Sequence, residues 1–320
     1  MKALTRNETA DFLKNNDGFA IMTHRRPDGD TLGSSALLCR GLRQLGKRAY
    51  IVENPEITEK YIHLHEGLTK PAPESGDILV CVDVASPGML PQAFVHLQEA
   101  ICLRIDHHGS ATSFTEFELV EPHTAACGEV VYGVLTRMGA ELDEAMAEAL
   151  YTAVSTDTGC FRYANTTAET FEVAAACAKV SKNLFAINQA LFDTNSFGRL
   201  RIQGWMTENA RFYHEGKVCI CAIPLAVEEN LGVTEDDMEN ISGFPRSIEG
   251  VKIAATLRQE SGGKIKISVR AVPGYDASAV CQKFGGGGHK GAAGCSMACS
   301  MDEAVEALKA VMLNLDEFHN

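Results

Sequence analysis

The sequence predicts an α/β protein of two domains, a larger one built on a mostly parallel sheet with helices on both faces and a smaller α/β domain after it. Three observations predict it. Up to residue 160, short apolar runs alternate with stretches of helical periodicity, the pattern of strands joined by helical crossovers. Near residues 193–215 the pattern changes, and strand-like runs return after it with shorter helices between them. Most of the residues with metal-ligand chemistry fall just after apolar runs, at the carboxyl ends of strands, where open parallel sheets bind their ligands.

In chain order, 19–23 reads as a strand, 32–45 as an amphipathic helix, and 49–52, 78–82 and 101–105 as further strands. Residues 127–212 read as mostly helical with no clear strand, ending in a segment, 197–212, long enough to bridge two bodies. Beyond it, 218–223, 251–257 and 265–269 are strands, and 277–284 and 301–313 are helices. The expected division is 1–192 for the first domain, 193–215 for a linker helix and 216–320 for the second.

Composition narrows the function. With 320 residues and 45% apolar content the chain is long enough for two packed domains. No run of about 18 apolar residues occurs and the N-terminus lacks a secretory pattern, so a cytoplasmic location is expected. The eleven cysteines are odd in number and scattered, with no Cys-x-x-Cys pair, which points to reduced, buried thiols and not to disulfides or structural zinc. A formal charge of -13 argues against coating long nucleic acid, which takes a basic face. A phosphate ligand must therefore be gripped locally, by bound cations and a few arginines.

Two clusters carry the chemistry. His24-x-x-x-Asp28-Gly29-Asp30 follows one strand, and Asp106-His107-His108 follows another; Asp83 ends a third, and Asp157 follows the helical segment from residue 143. Carboxylates and imidazoles together suit hard to borderline divalent ions such as Mn or Mg, and so many anions in one cleft would repel one another without cations. Pro27-Asp28-Gly29-Asp30 is also an ordinary turn in which an Asp caps a helix, with Gly29 allowing a tight bend and Gly33-Ser34-Ser35 opening the helix. The company of three further acidic sites favours metal. Asp83 is the candidate bridging carboxylate of a two-ion centre that activates water and neutralises phosphoryl oxygens. Of His107 and His108, one is expected to ligate metal and the other to face the phosphate or leaving oxygen, with Asp106 orienting its neighbour. In the second domain, four consecutive glycines, Gly285 to Gly288, precede His289 and Lys290 and suggest close backbone approach to a phosphate. Arg258, Ser268 and Arg270 lie on or beside strands and are candidate anion contacts.

Together, His24-x-x-x-Asp28-Gly-Asp30, Asp83, Asp106-His107-His108, Asp157 and the late Gly-Gly-Gly-Gly-His289 resemble the DHH phosphoesterase family with a DHHA1 second domain, and in length and order its nano-RNase and 3',5'-bisphosphate nucleotidase subgroup. The resemblance implies an active site in the cleft between the two domains and two Mn ions, with Mg or Co as substitutes. It assigns His24, Asp28 and Asp83 to one ion and Asp30, Asp83, His107 and Asp157 to the other. His108 would contact the scissile phosphate, making His108, Asp106 and Asp83 the catalytic set, and Arg258, Ser268, Arg270, Gly287, Gly288 and His289 would bind the nucleotide. The implied substrates are oligoribonucleotides of about two to five residues and 3'-phosphoadenosine 5'-phosphate. No membrane or long nucleic-acid partner is expected, and a homodimer is left open. The competing readings are an exopolyphosphatase or pyrophosphatase, and a silent nucleotide sensor, which would have a broken ligand set.

Overall fold

The computed structural model describes residues 1–109, 112–238 and 240–315. The chain divides into two compact units, Met1–Thr194 and Asn195–Asn320. The first contains β1 (Lys2–Ala3), α1 (Arg6–Asn15), β2 (Phe19–Met22), α2 (Gly29–Gln44), β3 (Ala49–Val52), α3 (Ile62–His65), β4 (Thr69–Lys70) and β5 (Ile78–Val82). It continues with β6 (Ile101–Asp106), β7 (Phe117–Val120), α4 (Cys127–Met138), α5 (Glu144–Asp157), α6 (Ala168–Val180) and α7 (Leu184–Asn188).

These strands form one sheet in the order β1-β7-β6-β5-β2-β3-β4, parallel at every pairing. Parallel strands buried on both faces read as continuous apolar runs, and β2, β3 and β5 do. One face packs Ile21, Ile51, Val80, Leu103 and Ile105 against Leu38, Leu42, Val130, Leu150 and Val154 of α2, α4 and α5. The other buries Met22, Tyr50, Leu79 and Cys81 with Leu90 and Phe94. Helical cover on this second face comes from short 3₁₀ segments, Pro87–Met89 and Gln92–Ala100.

Helices α2 and α5 lie so close that a Cβ on Gly33 would stand 2.3 Å from the Ala149 carbonyl oxygen. Gly29 has the same cause: its Cβ would stand 2.4 Å from a Thr156 methyl. The reason for glycine there is this contact and not a bent backbone, and α2 starts at Gly29, earlier than the helix expected from residue 32. Both glycines let the end of α5 reach the start of α2.

The second unit contains α8 (Phe197–Asn209), β8 (Arg211–Tyr213), β9 (Val218–Ile223), α9 (Leu225–Leu231), β10 (Ile253–Gln259) and β11 (Ile265–Ala271). It ends with α10 (Ala277–Gln282), β12 (Gly287–Gly288), β13 (Ala292–Met297) and α11 (Met301–Leu313). Its sheet runs β12-β13-β11-β10-β9-β8, with β9 and β10 parallel and the other pairs antiparallel. One face packs on α10 and α11 through Val269, Val280, Ala304 and Leu308. The segment expected as a linker helix, α8, buries Ile202 and Met206 against Cys221 and Ile223 of β9. Among the described residues no helix is long and apolar enough to cross a membrane, and all eleven cysteines are free, eight of them buried.

Candidate active site

Strands β2 and β5 are neighbours, yet the chain leaves them in opposite directions, β2 toward β3 and β5 toward β6 and β7. Such a switch point opens a crevice at the carboxyl ends of the strands. His24 lies just past β2, Asp83 directly past β5, and Asp106 closes β6 with His107 and His108 next. The start of α2 supplies Asp28 and Asp30, and Asp157 is the last residue of α5.

Asp28 takes both roles its sequence allowed. Its Oδ1 accepts from the amides of Asp30 (3.0 Å) and Thr31 (3.2 Å), capping α2, and stands 3.6 Å from His24 Nε2. Asp30 is fixed from across the chain. Its Oδ2 accepts from the Cys127 amide at 2.6 Å, and its Oδ1 from the Gly128 amide at 3.0 Å and the Ser34 hydroxyl at 2.8 Å. It thereby satisfies two of the unpaired donors at the N-terminus of α4.

Asp83 is 2% exposed, and its φ of +59° places it in the left-handed region that few non-glycine residues adopt. Its two oxygens face different partners. Oδ2 stands 3.6 Å from His24 Nε2, and Oδ1 stands 3.5 Å from His107 Nε2 and 3.4 Å from His108 Nδ1. His107 Nε2 is also 3.6 Å from Asp30 Oδ2 and 3.5 Å from Asp157 Oδ2. Both ring Nδ1 atoms bond backbone carbonyls, His24 to Arg25 at 2.8 Å and His107 to Thr124 at 3.2 Å, which turns each Nε2 toward the carboxylates. His108 differs: its Nδ1 bonds Asp106 Oδ1 at 2.8 Å, and the same oxygen accepts the amides of His107 and His108.

These separations are too long for hydrogen bonds. Donors bound about 2.1 Å from a common ion would stand roughly 3.0–3.5 Å from each other, close to the spacing seen. Three groups each bring their ligand atoms within 4.8 Å of one another: His24, Asp28 and Asp83; Asp30, His107 and Asp157; and Asp83, His107 and His108. Asp83 Oδ1 is buried with no hydrogen-bond partner, an atom that a cation would satisfy.

The electrostatics agree. Burial raises the Asp30 carboxyl well above its ordinary range, and Asp83 and Asp157 add to this against the pull of His107. Asp157 is pushed up to about 7 by burial and by Asp28 and Asp83. It also sits at the carboxyl end of α5, where the helix dipole disfavours an anion. Burial opposes the charged form of His107, but Asp30, Asp83 and Asp157 outweigh it and raise the ring to about 9. The side chains thus hold protons where cations would serve better, and the donor set fits divalent ions.

The second unit places its candidate residues on one sheet. Thr256, Ser268, Gly294 and Gly287 are successive register partners across β10, β11, β13 and β12. Ser268 and Arg270, two apart on β11, share the face opposite the one that buries Ile267 and Val269. His289 is exposed in the tight turn closed by its amide on the Ala292 carbonyl at 2.8 Å. The glycines divide by cause. A Cβ on Gly286 would meet the Gly294 carbonyl oxygen at 2.2 Å, and one on Gly288 the Ala292 carbonyl oxygen at 2.6 Å, whereas one on Gly287 meets nothing within 4 Å. Arg258 departs from the expectation of a free anion clamp. Its Nε and Nη2 donate to the two oxygens of Glu228 at 2.6 Å each, and Nη1 and Nη2 to Glu235 at 2.9 and 2.7 Å. Glu228 lies 30 positions upstream, a pairing that strand register alone does not reveal.

The profile of the DHH family, N-terminal domain, matches residues 18–154, and that of the DHHA1 domain matches 215–314. The chain is 33% identical over 94% of its length to a bifunctional oligoribonuclease and PAP phosphatase, NrnA, of Thermus thermophilus, covering 92% of that protein. A relative of the same name from Bacillus subtilis is 24% identical, with 90% of this chain and 91% of the relative covered. In fold, it superposes with a TM-score of 0.81 on the crystal structure of an exopolyphosphatase-related protein from Bacteroides fragilis, at 24% identity over 96% of this chain and 94% of that one. With its motifs, its fold and these relatives in agreement, the chain belongs to the DHH family of phosphoesterases with a DHHA1 second domain, and it is a hydrolase.

Proposed function

We propose that this hydrolase removes terminal phosphoryl or nucleotidyl groups from short nucleotide substrates, oligoribonucleotides of about two to five residues and 3'-phosphoadenosine 5'-phosphate, with two Mn ions. The observation that carries the reading is Asp83, whose two oxygens face two separate ligand groups while Oδ1 has no hydrogen bond. The relatives' names support the substrate class.

In this reading His24, Asp28 and Asp83 hold one ion, and Asp30, Asp83, His107 and Asp157 the other. The ions supply charge neutralisation at the phosphoryl oxygens and a more acidic water. Asp106 fixes the His108 ring through Nδ1, which leaves Nε2 as the atom that meets the scissile phosphate or leaving oxygen. Burial works against the charged form of His108, but Asp106 and Asp83 outweigh it and raise the ring above its ordinary range, which favours a proton-donor role. In the second unit Ser268, Arg270, Gly287, Gly288 and His289 bind the nucleotide, and Arg258 acts through its two glutamates as a strut. The free thiols support a reducing, cytoplasmic setting.

Turnover by metal-stripped protein, with and without added Mn, tests the reading on 3'-phosphoadenosine 5'-phosphate, on RNAs of two, five and twenty nucleotides and on pyrophosphate. Mn-dependent hydrolysis that falls steeply beyond about five nucleotides is expected, since an acidic protein gains few contacts from further phosphates. Preference for pyrophosphate would replace it with the pyrophosphatase reading, and full activity in chelator would remove the metal.

A further inference from the structure

Strand β6 breaks its own pattern at one residue. Residues Ile101–Asp106 form a largely buried strand, yet Arg104 lies among them with 1% exposure. A charge taken out of water in such a place is costly unless its donors are satisfied. Arg104 Nη1 donates to the Thr112 carbonyl at 3.0 Å and the Ala85 carbonyl at 3.1 Å, and Nη2 donates to Glu118 Oε2 at 3.0 Å, while its buried Nε has no hydrogen-bond partner. Glu118 is its register partner on β7, and the ring of Phe114 lies 5.1 Å from the guanidinium carbon. Glu118 in turn accepts from the amides of Phe114 and Thr115 and from the Ser113 hydroxyl.

Two of these partners, Ala85 and Thr112, lie a few positions along the chain from residues of the site. Ala85 is two positions beyond Asp83, and its carbonyl also accepts the amide of Thr112, four positions beyond His108, at 2.9 Å, so Ala85 and Thr112 are held together both directly and through Arg104. Asp106 lies on the same strand face as Arg104. Its Oδ1 is spent on His107 and His108, while its buried Oδ2 has no hydrogen bond and stands 3.8 Å from Arg104 Nη1. Arg104 itself is in none of the ligand groups.

We propose that Arg104 is a positioning residue for the hydrolytic centre: it fixes the exit from Asp83 and the return from the two histidines against each other, and so sets where the Asp83, His107 and His108 side chains stand. The inference rests on the reading of that cluster as the metal centre. It explains why the position is arginine. A planar fork with five donors reaches two carbonyls and a carboxylate at once, which the compact ammonium of lysine does not.

The test compares wild type, Arg104→Lys, and the double variant Arg104→Met with Glu118→Gln. In the double variant both buried charges are gone, and the glutamine oxygen still accepts the amides of residues 114 and 115. Thermal unfolding, kcat and KM for 3'-phosphoadenosine 5'-phosphate, and Mn binding by electron paramagnetic resonance are measured for each. The double variant is expected to lose roughly 10- to 100-fold in kcat and about tenfold in Mn affinity with KM little changed, and Arg104→Lys to fall between it and wild type. Wild-type kcat and Mn affinity in either folded variant overturns the inference, as does a loss confined to Tm. Should the double variant not fold, Arg104→Lys decides: lowered kcat at wild-type Tm supports the role, and unchanged kcat refutes it. A wild type that neither binds Mn nor depends on it would instead bring down the metal reading beneath the inference.

Discussion

In the first unit, Asp30, Asp83 and Asp157 are held within reach of one histidine by a distant helix terminus, a left-handed backbone and the close approach of α2 to α5. In the second, Arg258 is fully engaged by Glu228 and Glu235, and one sheet face carries the half-buried Ser268 and Arg270 beside a glycine hairpin. The first unit spends folding free energy to force like charges together, and the second neutralises its strongest charge. A site that needs divalent ions requires unbalanced ligands held rigidly, whereas one that grips a polar substrate by a few contacts does not. The contrast also sorts what a substitution does: in the first unit it should strike chemistry, in the second either stability or substrate affinity, depending on which arginine or glycine is touched.

Asp83→Asn is the most damaging change expected. Asparagine tolerates the left-handed backbone and keeps the side chain's size, so the fold survives, while turnover should fall a hundred- to a thousandfold because the group shared by both ligand sets loses its charge. A folded variant, checked by circular dichroism, that keeps a tenth of wild-type turnover breaks the contrast at its centre.

The two arginines should separate. Arg258→Ala leaves Glu228, 7% exposed, without its partner and should cost about 3 kcal/mol of stability, read from denaturant unfolding. Arg270→Ala should cost less stability than Arg258→Ala and raise KM for nucleotides about tenfold, a loss typical of one charge-assisted contact, while sparing bis-nitrophenyl phosphate. The reverse assignment would show that the second unit grips with Arg258 after all.

Metal and pH should act in opposition on the first unit. Asp157, raised from 3.8 to about 7, and His107, raised from 6.5 to about 9, both favour their protonated forms in the folded state. Their contribution to the stability of ion-free protein is therefore present at low pH and lost as pH rises, through about 7 for Asp157 and about 9 for His107. Mn competes with those protons. At a hundredfold excess over its dissociation constant it should add about 2.7 kcal/mol, roughly 5–10 °C in Tm. The gain at one fixed Mn concentration should be larger at pH 8.5 than at pH 6. Equal shifts at both, in paired thermal scans, would mean that these groups are not the ligands.

The smallest effect expected in this series sharpens the second unit. Gly288→Ala, at a φ of +145° and against the Ala292 carbonyl, should destabilise by about 1–3 kcal/mol. Gly287→Ala enters open space and should leave Tm alone, yet raise KM for nucleotides a few-fold if a phosphate approaches that backbone. Unchanged KM would reduce the glycine run to packing of the hairpin.

How much of this was legible in the sequence follows from where the partners of each residue lie. The clustering of the candidate ligands was readable because parallel strands end at a common edge, so an Asp or His after each apolar run is placed by the sheet itself. Strand β7 was not expected, since four residues with Glu118 in their midst give little periodicity, nor was β13, whose Ala-Ala-Gly-Cys-Ser-Met run lacks strand-forming side chains. The amides of Cys127 and Gly128 that fix Asp30 are 97 and 98 positions away. Arg104 passed as one residue of a strand, and Arg258 as a candidate anion contact, because each is defined by acids that only the fold brings near.

The left-handed backbone at Asp83 has an evolutionary consequence. Few side chains other than Asn, Asp and Gly settle readily at such a φ, so the codons open to this position without loss of the fold are few. Asn is one base change from Asp. The gene for this chain is therefore a single nucleotide away from a product that folds and keeps its second unit, yet has lost the carboxylate that faces His24, His107 and His108.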